Sequence, residues 1–407
     1  MAPKPAPARL APSRTTELGN TEPMTAGTQQ REPVASLLAA DLDRLRSSVS
    51  AALAEFLDRQ RDILAAMDPR LTPVVDEVCE LAEGGKRLRP AFAYWGWRGA
   101  TPTPASSPPP TTATGPTGTA EDETAVLTAV AALEFVHASA LVHDDVMDGA
   151  DTRRGRPATH IGFASRHAVE NLTGDASVFG TGAAILVGDL ALVWSDELLR
   201  CSGLSAAALS RARVVWDTMR TEVTAGQYLD LLRAAGGLPG PEGALTVARY
   251  KSAGYTVQRP LQLGAAIAGA GSEVTEAYTA IGLPLGEAFQ LRDDVLGVFG
   301  DPNVTGKSVD DDLREGKQTL LIALAEERAD DAGRRLLADL LGNAEAGHQE
   351  FDALRRLLET TGARARVEER ITERTALART AIAAAPIADD ARAALDALAV
   401  AATTRTA

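Results

Sequence analysis

The feature that most restricts the fold is an almost continuous apolar run, residues 121–143, which ends in the acidic cluster Asp144, Asp145 and Asp148. A run of this length without a turn residue predicts a helix that is buried on most of its sides. In such a helix Asp144 and Asp148 lie one turn apart on one face. Their carboxylates repel each other unless a cation lies between them, and Mg²⁺ prefers such oxygen ligands together with substrate phosphates. The run therefore predicts a core helix with a metal-binding end.

A second acidic pair, Asp293 and Asp294, occurs within another apolar helical pattern, residues 283–299. The polar side chains Gln290, Asp293 and Asp294 fall on one face of this helix, and the apolar ones fall on the other. Two such helices that face each other would hold a metal-bridged phosphate between them. The alternative is that each pair is a solvated helix end, which explains one pair readily but explains two pairs on apolar helices less well.

The rest of the chain shows helical and not strand-like periodicity. From Val34 onward, apolar residues recur at intervals of three and four, and no useful stretch alternates as a strand does. Aromatic residues make up only 4% of the chain, which also favours helices. We predict an all-α fold, a single large helical bundle over residues 34–400. The composition of residues 1–33 predicts a disordered Pro/Ala-rich tail, and that of residues 100–120 predicts a flexible Pro/Thr-rich insertion.

Charge, cysteine content and hydropathy exclude several classes of protein. The net charge of -14 and the lack of a basic tail argue against a nucleic-acid partner. No stretch of 18 apolar residues is free of a charge or a Gly/Pro break, so no stable membrane insertion is expected. The two cysteines, Cys79 and Cys201, allow no disulfide framework and no zinc motif, which favours a cytoplasmic location.

Basic residues form short clusters beside turn residues. Lys86 and Arg89 follow a Gly-Gly pair, and Arg153 and Arg154 follow the first acidic cluster. Arg binds phosphate oxygens in pairs, and Lys binds them as a point charge. A lone basic residue is ordinarily a surface charge, so the pair next to the acidic cluster is the stronger phosphate-binding candidate. Three lysines in the second half of the chain are further candidates: Lys251, Lys307 and Lys317.

These motifs occur in one order along the chain. They are Gly84-Gly-Lys-Arg-Leu-Arg-Pro90, His143-Asp-Asp-Val-Met-Asp148 with Arg153-Arg154-Gly155, Gly226-Gln227 with Asp230, Lys251-Ser252, and Phe289-Gln-Leu-Arg-Asp-Asp294 with Gly306-Lys307. In this order the chain resembles the trans-prenyl diphosphate synthases over about residues 36–400, apart from the insertion. One acidic cluster alone is a weak signal, whereas the combination is highly specific.

The resemblance implies an isoprenoid-synthase bundle with a central cavity. Isopentenyl diphosphate would be condensed with an allylic diphosphate, by a protein that forms a homodimer. Three Mg²⁺ ions would be held by Asp144, Asp148 and Asp293, with Asp145 and Asp294 in an outer shell.

The resemblance also assigns roles to the remaining polar residues. The Ser252 hydroxyl and the Gln290 amide would stabilise the allylic cation. The allylic diphosphate would contact Arg153, Lys251 and Lys307, and Lys317 is a further substrate-binding candidate. Four residues would form a metal-free site for isopentenyl diphosphate: Lys86, Arg89, His137 and Arg154.

Two positions depart from the family pattern. Gly297 stands where the second acidic motif has its last Asp, which leaves that cluster with less redundancy. Ser252 replaces the usual Thr and keeps the hydroxyl.

Product length follows from the residues just below the first acidic cluster, where bulky side chains close the cavity in this family. Here Ser139 and Ala140 are small, and Phe135 or residues on neighbouring helices would close the cavity deeper. This favours a C20 product, geranylgeranyl diphosphate, over a C15 or a longer product.

Three other functions deserve comparison. A class I terpene cyclase has no use for the basic cluster at residues 84–89 and needs a second metal motif that is not found here. A His-Asp phosphohydrolase needs more histidine ligands than the five histidines supply in any convincing pattern. A non-catalytic regulatory subunit of a synthase would have lost ligands, and Gly297 is the one such loss.

Overall fold

The computed structural model describes residues 31–101, 121–301 and 308–404, with side chains described from residue 40 onward. Within these ranges every regular element is helical except one hairpin of two-residue strands, so the predicted all-α fold is confirmed. The hairpin, β1 (Thr152–Arg153) and β2 (Arg156–Pro157), lies within residues 151–157, where the glycine and the proline predict a loop.

The helices are numbered in chain order. The first seven are α1 (Arg31–Met67), α2 (Thr72–Ala82), α3 (Leu88–Ala100), α4 (Glu123–Asp148), α5 (Thr159–Val169), α6 (Ala176–Arg200) and α7 (Ala206–Ala234), with a 3-10 turn (Pro69–Leu71) before α2. Then follow α8 (Gly240–Val247), a π-helix (Ala248–Gln258), α9 (Arg259–Ala268) and α10 (Ser272–Phe299). The last six are α11 (Asp311–Arg314), α12 (Leu320–Arg328), α13 (Asp331–Leu340), α14 (His348–Thr360), α15 (Ala363–Ala384) and α16 (Asp389–Thr403).

Contacts along the chain separate two units, Met1–Asp41 and Leu42–Ala407. Of the first unit the structure describes only the start of α1, which begins ahead of the predicted start at Val34. The predicted tail lies outside the described residues up to residue 30, and so does the predicted insertion from residue 102 to residue 120. Both therefore stay predictions.

Helix α4 is the central helix of the second unit. Asp122 caps its first turn by accepting a hydrogen bond from the Ala125 amide, and Gly149 ends it in the left-handed conformation. Most of its side chains are buried, and it packs along α6. The acidic cluster forms the last turn of α4, as the apolar run predicts.

The segment before α10 differs from its sequence-based prediction. The pattern predicts one helix over residues 245–270 with a kink at Pro260. Instead α8 passes into the π-helix, and Pro260 lies in the first turn of α9, where a missing amide is tolerated. Helix α5 was not predicted, because its apolar pattern is short.

Two helices, α4 and α6, are long and apolar enough to cross a membrane by length and composition alone. In α4, 72% of the most apolar stretch of 18 residues is buried, as expected of a core helix. In α6 only 28% is buried, and Val178, Leu186 and Val193 are each more than half exposed. Helix α6 thus presents an exposed apolar face.

Candidate active site

One cavity of about 1320 Å³ collects most of the predicted site residues. It lies between the C-terminal parts of α4 and α10, the C-terminal half of α7, the π-helix and the connection from α2 to α3. The predicted residues that line it are Lys86, Arg89, His137, Asp144, Arg153, Arg154, Lys251, Ser252, Gln290, Asp293, Asp294 and Lys317. Lys307 lies outside the described residues.

Asp144 is the best-connected carboxylate of the cavity. Lys251 Nζ donates to Asp144 Oδ1 at 2.7 Å and to Asp230 Oδ2 at 2.5 Å, and Gln227 Nε2 donates to Asp144 Oδ1 at 2.9 Å. Burial opposes ionisation of Asp144, but Lys251 outweighs it and lowers the pKa of this carboxyl. Burial would likewise lower the pKa of Lys251, yet the two carboxylates raise it. Both groups are therefore charged at neutral pH.

Gly226 allows α7 to approach the π-helix closely enough for these bonds. A Cβ atom at this position would lie 2.3 Å from the backbone nitrogen of Lys251, which is far inside van der Waals contact. Gln227 follows directly, and Asp230 lies one turn later on α7. The glycine thus brings two polar side chains of α7 to the lysine.

The other two acidic residues of the first cluster do not line the cavity. Asp145 is buried and accepts hydrogen bonds from Arg153 Nε at 2.8 and 3.1 Å, so it fixes the guanidinium that faces the cavity. Asp148 is half-buried at the end of α4. Burial and the neighbouring Asp144 carboxylate raise the pKa of Asp148 to about 6. Their predicted metal-binding roles stay predictions.

The second cluster lies across the cavity on α10. Asp293 and Asp294 both line the wall, and Gln290 Nε2 donates to Asp294 Oδ1 at 2.8 Å. Burial raises the pKa of Asp294 to about 7, against the effect of the Gln290 hydrogen bond, and Asp312 and Asp293 add to the rise. Burial and the two neighbouring carboxylates thus all favour the protonated form of Asp294.

Gly297 departs from the family pattern, and a side chain from another helix occupies the space beside it. A Cβ atom at position 297 would lie 1.9 Å from Asp312 Oδ2. Asp312 comes from α11, lines the cavity and accepts a hydrogen bond from Lys317 Nζ at 2.8 Å. Burial alone would lower the pKa of Lys317, but Asp312 and Glu315 raise it. The glycine therefore admits an Asp312 carboxylate beside the position of the missing Asp.

The donor set at this rim fits Mg²⁺. Among the described residues, no three His, Cys, Asp or Glu side chains are close enough to hold a metal ion by themselves. Mg²⁺ commonly takes one or two carboxylates and completes its shell with substrate phosphates and water. The raised pKa values of Asp148 and Asp294 reflect burial and mutual repulsion that a divalent cation relieves.

A basic pocket lies on another side of the cavity. Arg89 Nη2 donates to the Tyr255 hydroxyl at 2.7 Å and to the Thr256 hydroxyl at 3.1 Å, and its guanidinium lies 4.4 Å from the Tyr255 ring centre. Lys86 and Arg154 line the same side. Arg89 and Arg154 thus bring two guanidinium groups to this side of the cavity.

His137 belongs to this pocket and is neutral. Burial, followed by the charges of Arg89 and Arg154, holds the pKa of His137 well below its ordinary value. The Tyr255 hydroxyl lies 3.2 Å from His137 Nδ1. Because this hydroxyl accepts from Arg89, its own proton is available to Nδ1, which leaves His137 Nε2 as the N–H donor.

Arg87 has a structural role. It donates to Glu134 at 2.6 Å, and both side chains are buried. The basic cluster of the sequence is thus divided: Arg87 fastens the connection to α4, while its neighbours Lys86 and Arg89 line the cavity.

Four cavity residues were missed by the sequence analysis as site residues: Gln227, Asp230, Tyr255 and Asp312. Gln227 and Asp230 belong to one of the motifs that the chain shares with the family, but no function was predicted for them. Asp312 lies in a polar stretch close behind the second acidic pair, which was the available signal. Tyr255 had none, because a tyrosine in an apolar helix is ordinarily a core residue.

Comparison with known proteins agrees with this arrangement. The sequence model of the polyprenyl synthetase family matches residues 69–358. A geranylfarnesyl diphosphate synthase of Aeropyrum pernix is 34% identical over 262 residues, 64% of this chain and 71% of that protein. A (2E,6E)-farnesyl diphosphate synthase of Mycobacterium bovis is 31% identical over 317 residues, 75% of this chain and 77% of that protein.

Solved structures agree as well. A geranylgeranyl pyrophosphate synthase from Corynebacterium glutamicum, complexed with isoprenyl diphosphate and magnesium, is 40% identical with a TM-score of 0.82, covering 89% of this chain and 99% of that one. These matches support the synthase and neither the cyclase nor the phosphohydrolase. With a carboxylate wall and a basic pocket in one helical cavity, the chain belongs to the polyprenyl synthetase family and is a prenyl diphosphate synthase, a prenyltransferase.

Proposed function

We propose that this prenyltransferase is a geranylgeranyl diphosphate synthase, which extends an allylic diphosphate with isopentenyl diphosphate to a C20 product. The observation that carries the proposal is the division of one cavity into two polar sides above an apolar column. Asp144 and Asp293 line the carboxylate part of the cavity, Arg89 and Arg154 line the basic pocket, and Ala140 lies one turn below Asp144. Two diphosphates and one apolar tail therefore have separate places.

The column below Asp144 supports a product longer than C15. Ser139 and Ala140 both line the cavity and leave it open, as their size predicts. Phe135, the predicted deeper closure, is fully buried, and its ring packs 5.4 Å from that of Phe56 outside the lining. The 40% identical Corynebacterium protein is a geranylgeranyl pyrophosphate synthase, which adds support.

Three Mg²⁺ ions would be held by Asp144, Asp148 and Asp293, with Asp145 and Asp294 behind them. When bound, the ions would supply positive charge to the leaving diphosphate as Lewis acids. Asp312 is positioned to reinforce the second cluster in place of the Asp that Gly297 lacks.

The reaction begins when the allylic C–O bond breaks and negative charge develops on the departing diphosphate. Fixed cations near this charge lower the barrier, because they need not reorganise during the reaction. Lys251, Lys317 and Arg153 line the cavity close to the carboxylates and serve this purpose. Each is already oriented by a carboxylate, so the cations are in place before substrate binds.

The allylic cation then needs a dry cavity with dipoles directed at it. Ser252 and Gln290 line the cavity, and the Gln290 amide nitrogen donates to Asp294, so the Ser252 hydroxyl and the Gln290 amide oxygen are the groups proposed for this task. The double bond of isopentenyl diphosphate attacks the cation, a new C–C bond forms, and a proton leaves the adduct. The family resemblance assigns the acceptance of this proton to the departing diphosphate.

A Mg²⁺-dependent assay with labelled isopentenyl diphosphate and dimethylallyl, geranyl or farnesyl diphosphate tests the proposal. We expect chain elongation to C20, abolished by a chelator and restored by Mg²⁺. An end product of C15, or one longer than C20, would contradict the proposed product length. No elongation with any primer would leave the regulatory-subunit alternative and contradict catalysis by this chain.

Replacing Tyr255 by Phe tests the assignment of the basic pocket. The change removes the hydroxyl that connects Arg89 and His137. We expect the KM for isopentenyl diphosphate to rise about three- to tenfold, because Arg89 and His137 both lose this hydrogen-bond partner, with little change in the KM of the allylic primer. Tyr250→Phe, in the same π-helix, is the matched control. An equal rise in both KM values would contradict the assignment.

We further infer that the chain forms a homodimer through α6. Its exposed apolar residues Val178, Leu186 and Val193 form a face that a second copy of the same chain would bury. Sedimentation equilibrium should give about twice the 42.6 kDa chain mass, and Leu186→Glu should shift the mass towards that of one chain. A wild-type protein of 42.6 kDa at micromolar concentration would refute this inference.

A further inference from the structure

We infer that Arg220 forms the floor of the cavity that receives the growing prenyl tail, and thereby limits the length of the product. This inference rests on the proposed function. Arg220 lines the same cavity as Asp144, although it belongs to none of the motifs that hold diphosphate. The reaction proposed above gives this charged side chain no part at either diphosphate.

The position of Arg220 along α7 places it at the lower end of the cavity. Gln227, on the same helix, contacts Asp144 at the rim. Arg220 precedes Gln227 by two turns, which is about 10 Å along the helix axis. On α4 the deepest lining residue is Val136, about 12 Å below Asp144 by the same helix rise. The two helices therefore line the column to similar depths.

Helix α6 supplies an independent measure of depth because it runs antiparallel to α4. The Ile185 carbonyl oxygen lies 3.2 Å from His143 Nε2, next to the acidic rim. Farther along α6, the Trp194 ring packs on Phe56, which in turn packs on Phe135, about two turns below His143 on α4. Residues that follow Trp194 on α6 thus lie at the bottom of the column.

Arg220 is fixed at that level by two carboxylates. Its Nη2 atom lies 2.6 Å from Asp217 Oδ1 on the same helix, and its Nη1 atom lies 3.4 Å from Asp196 Oδ1 on α6. Asp196 follows Trp194 by two residues, so the ion pair spans the gap between α6 and α7 at the bottom. Leu192, one turn above Asp196, is the apolar residue of α6 that lines the cavity.

The floor works by hydration as well as by volume. The aliphatic stem of an arginine packs against apolar groups while its charged end stays in contact with water, and the Arg220 side chain is 26% exposed. A tail that grew past this point would have to strip water from the guanidinium and its carboxylates, which is unfavourable without replacement hydrogen bonds. Elongation therefore slows when the tail end reaches Arg220.

Arg220→Ala tests the inference. We expect the longest main product to gain at least one isoprene unit, and elongation of added geranylgeranyl diphosphate to become at least tenfold faster than in the wild type. Arg220→Lys keeps the charge and most of the length, and should retain the wild-type end product. Asp196→Asn removes the partner on α6 and should shift the products in the same direction by a smaller amount.

Ala140→Phe is the opposite control. A ring one turn below Asp144 blocks the column above the floor, so the product should become shorter than in the wild type. An Arg220→Ala protein that elongates farnesyl diphosphate but stops at the wild-type length would overturn the inference. If that variant does not fold, an unchanged product from Asp196→Asn overturns it. If the wild type elongates no primer, the proposed function fails and the floor fails with it.

Discussion

Asp144→Asn is expected to lower kcat by about 10³-fold, the size of effect seen when a group that stabilises transition-state charge is removed. Asp144 holds Lys251 and Gln227 at the rim of the cavity, and we propose that it also holds Mg²⁺. The amide keeps the shape of the side chain but not its charge, so the lysine loses one of its two carboxylate partners. Steady-state assays at saturating Mg²⁺ and substrates measure the loss.

Asp189→Asn is the matched control for this change. Asp189 lies on α6 beside His143, and its side chain is 59% exposed. The same substitution there should leave kcat within about twofold, since exposed ion pairs contribute little. A kcat for Asp144→Asn within tenfold of the wild type would show that this carboxylate has no essential part in the reaction.

Gly297→Asp is expected to damage the enzyme, although it completes the acidic motif of the family. The new Cβ would overlap Asp312 Oδ2, and the new carboxylate would add charge beside Asp294, whose pKa is already raised to about 7. We expect a loss of about 1–3 kcal/mol in the free energy of unfolding, the usual effect of overpacking, and at least a tenfold lower kcat. Chemical denaturation and steady-state kinetics measure the two effects.

Two further variants separate the causes. Gly297→Ala adds the Cβ without the charge, so it should lower stability and change kcat less. The double variant Gly297→Asp with Asp312→Gly moves the carboxylate from one helix to the other and should recover most of the kcat. A single Gly297→Asp variant that is more active than the wild type would show that Asp312 does not substitute for the missing Asp.

The helices that were predicted well carry their own local signals. The apolar run of α4 is bounded by the Asp122 cap and by Gly149, and both ends can be read without knowledge of any neighbour. The π-helix is different, because the composition of residues 248–258 is simply helical. Its packing depends on close approaches such as that of Gly226 to Lys251, which involve residues distant in sequence.

The residues that line the cavity could be predicted from the sequence, but the hydrogen bonds between them could not. The predicted residues that are described line one cavity, apart from Asp145 and Asp148. The bond between Asp144 and Lys251 joins residues 107 positions apart, and no spacing rule specifies it. The same holds for Asp312, whose approach depends on the absence of a side chain at Gly297. Sequence motifs therefore supply the list of groups, while packing decides which groups orient one another.

The π-helix contacts residues of both proposed substrate sites. Lys251, near its start, bonds to Asp144, and Tyr255, one turn later, bonds to Arg89 in the basic pocket. If one diphosphate displaces this segment, it changes the affinity for the other. Thermodynamic linkage then requires that the second diphosphate alter the affinity for the first by the same factor. Eleven residues of one helix would thus make the two sites a coupled pair in which neither substrate binds independently.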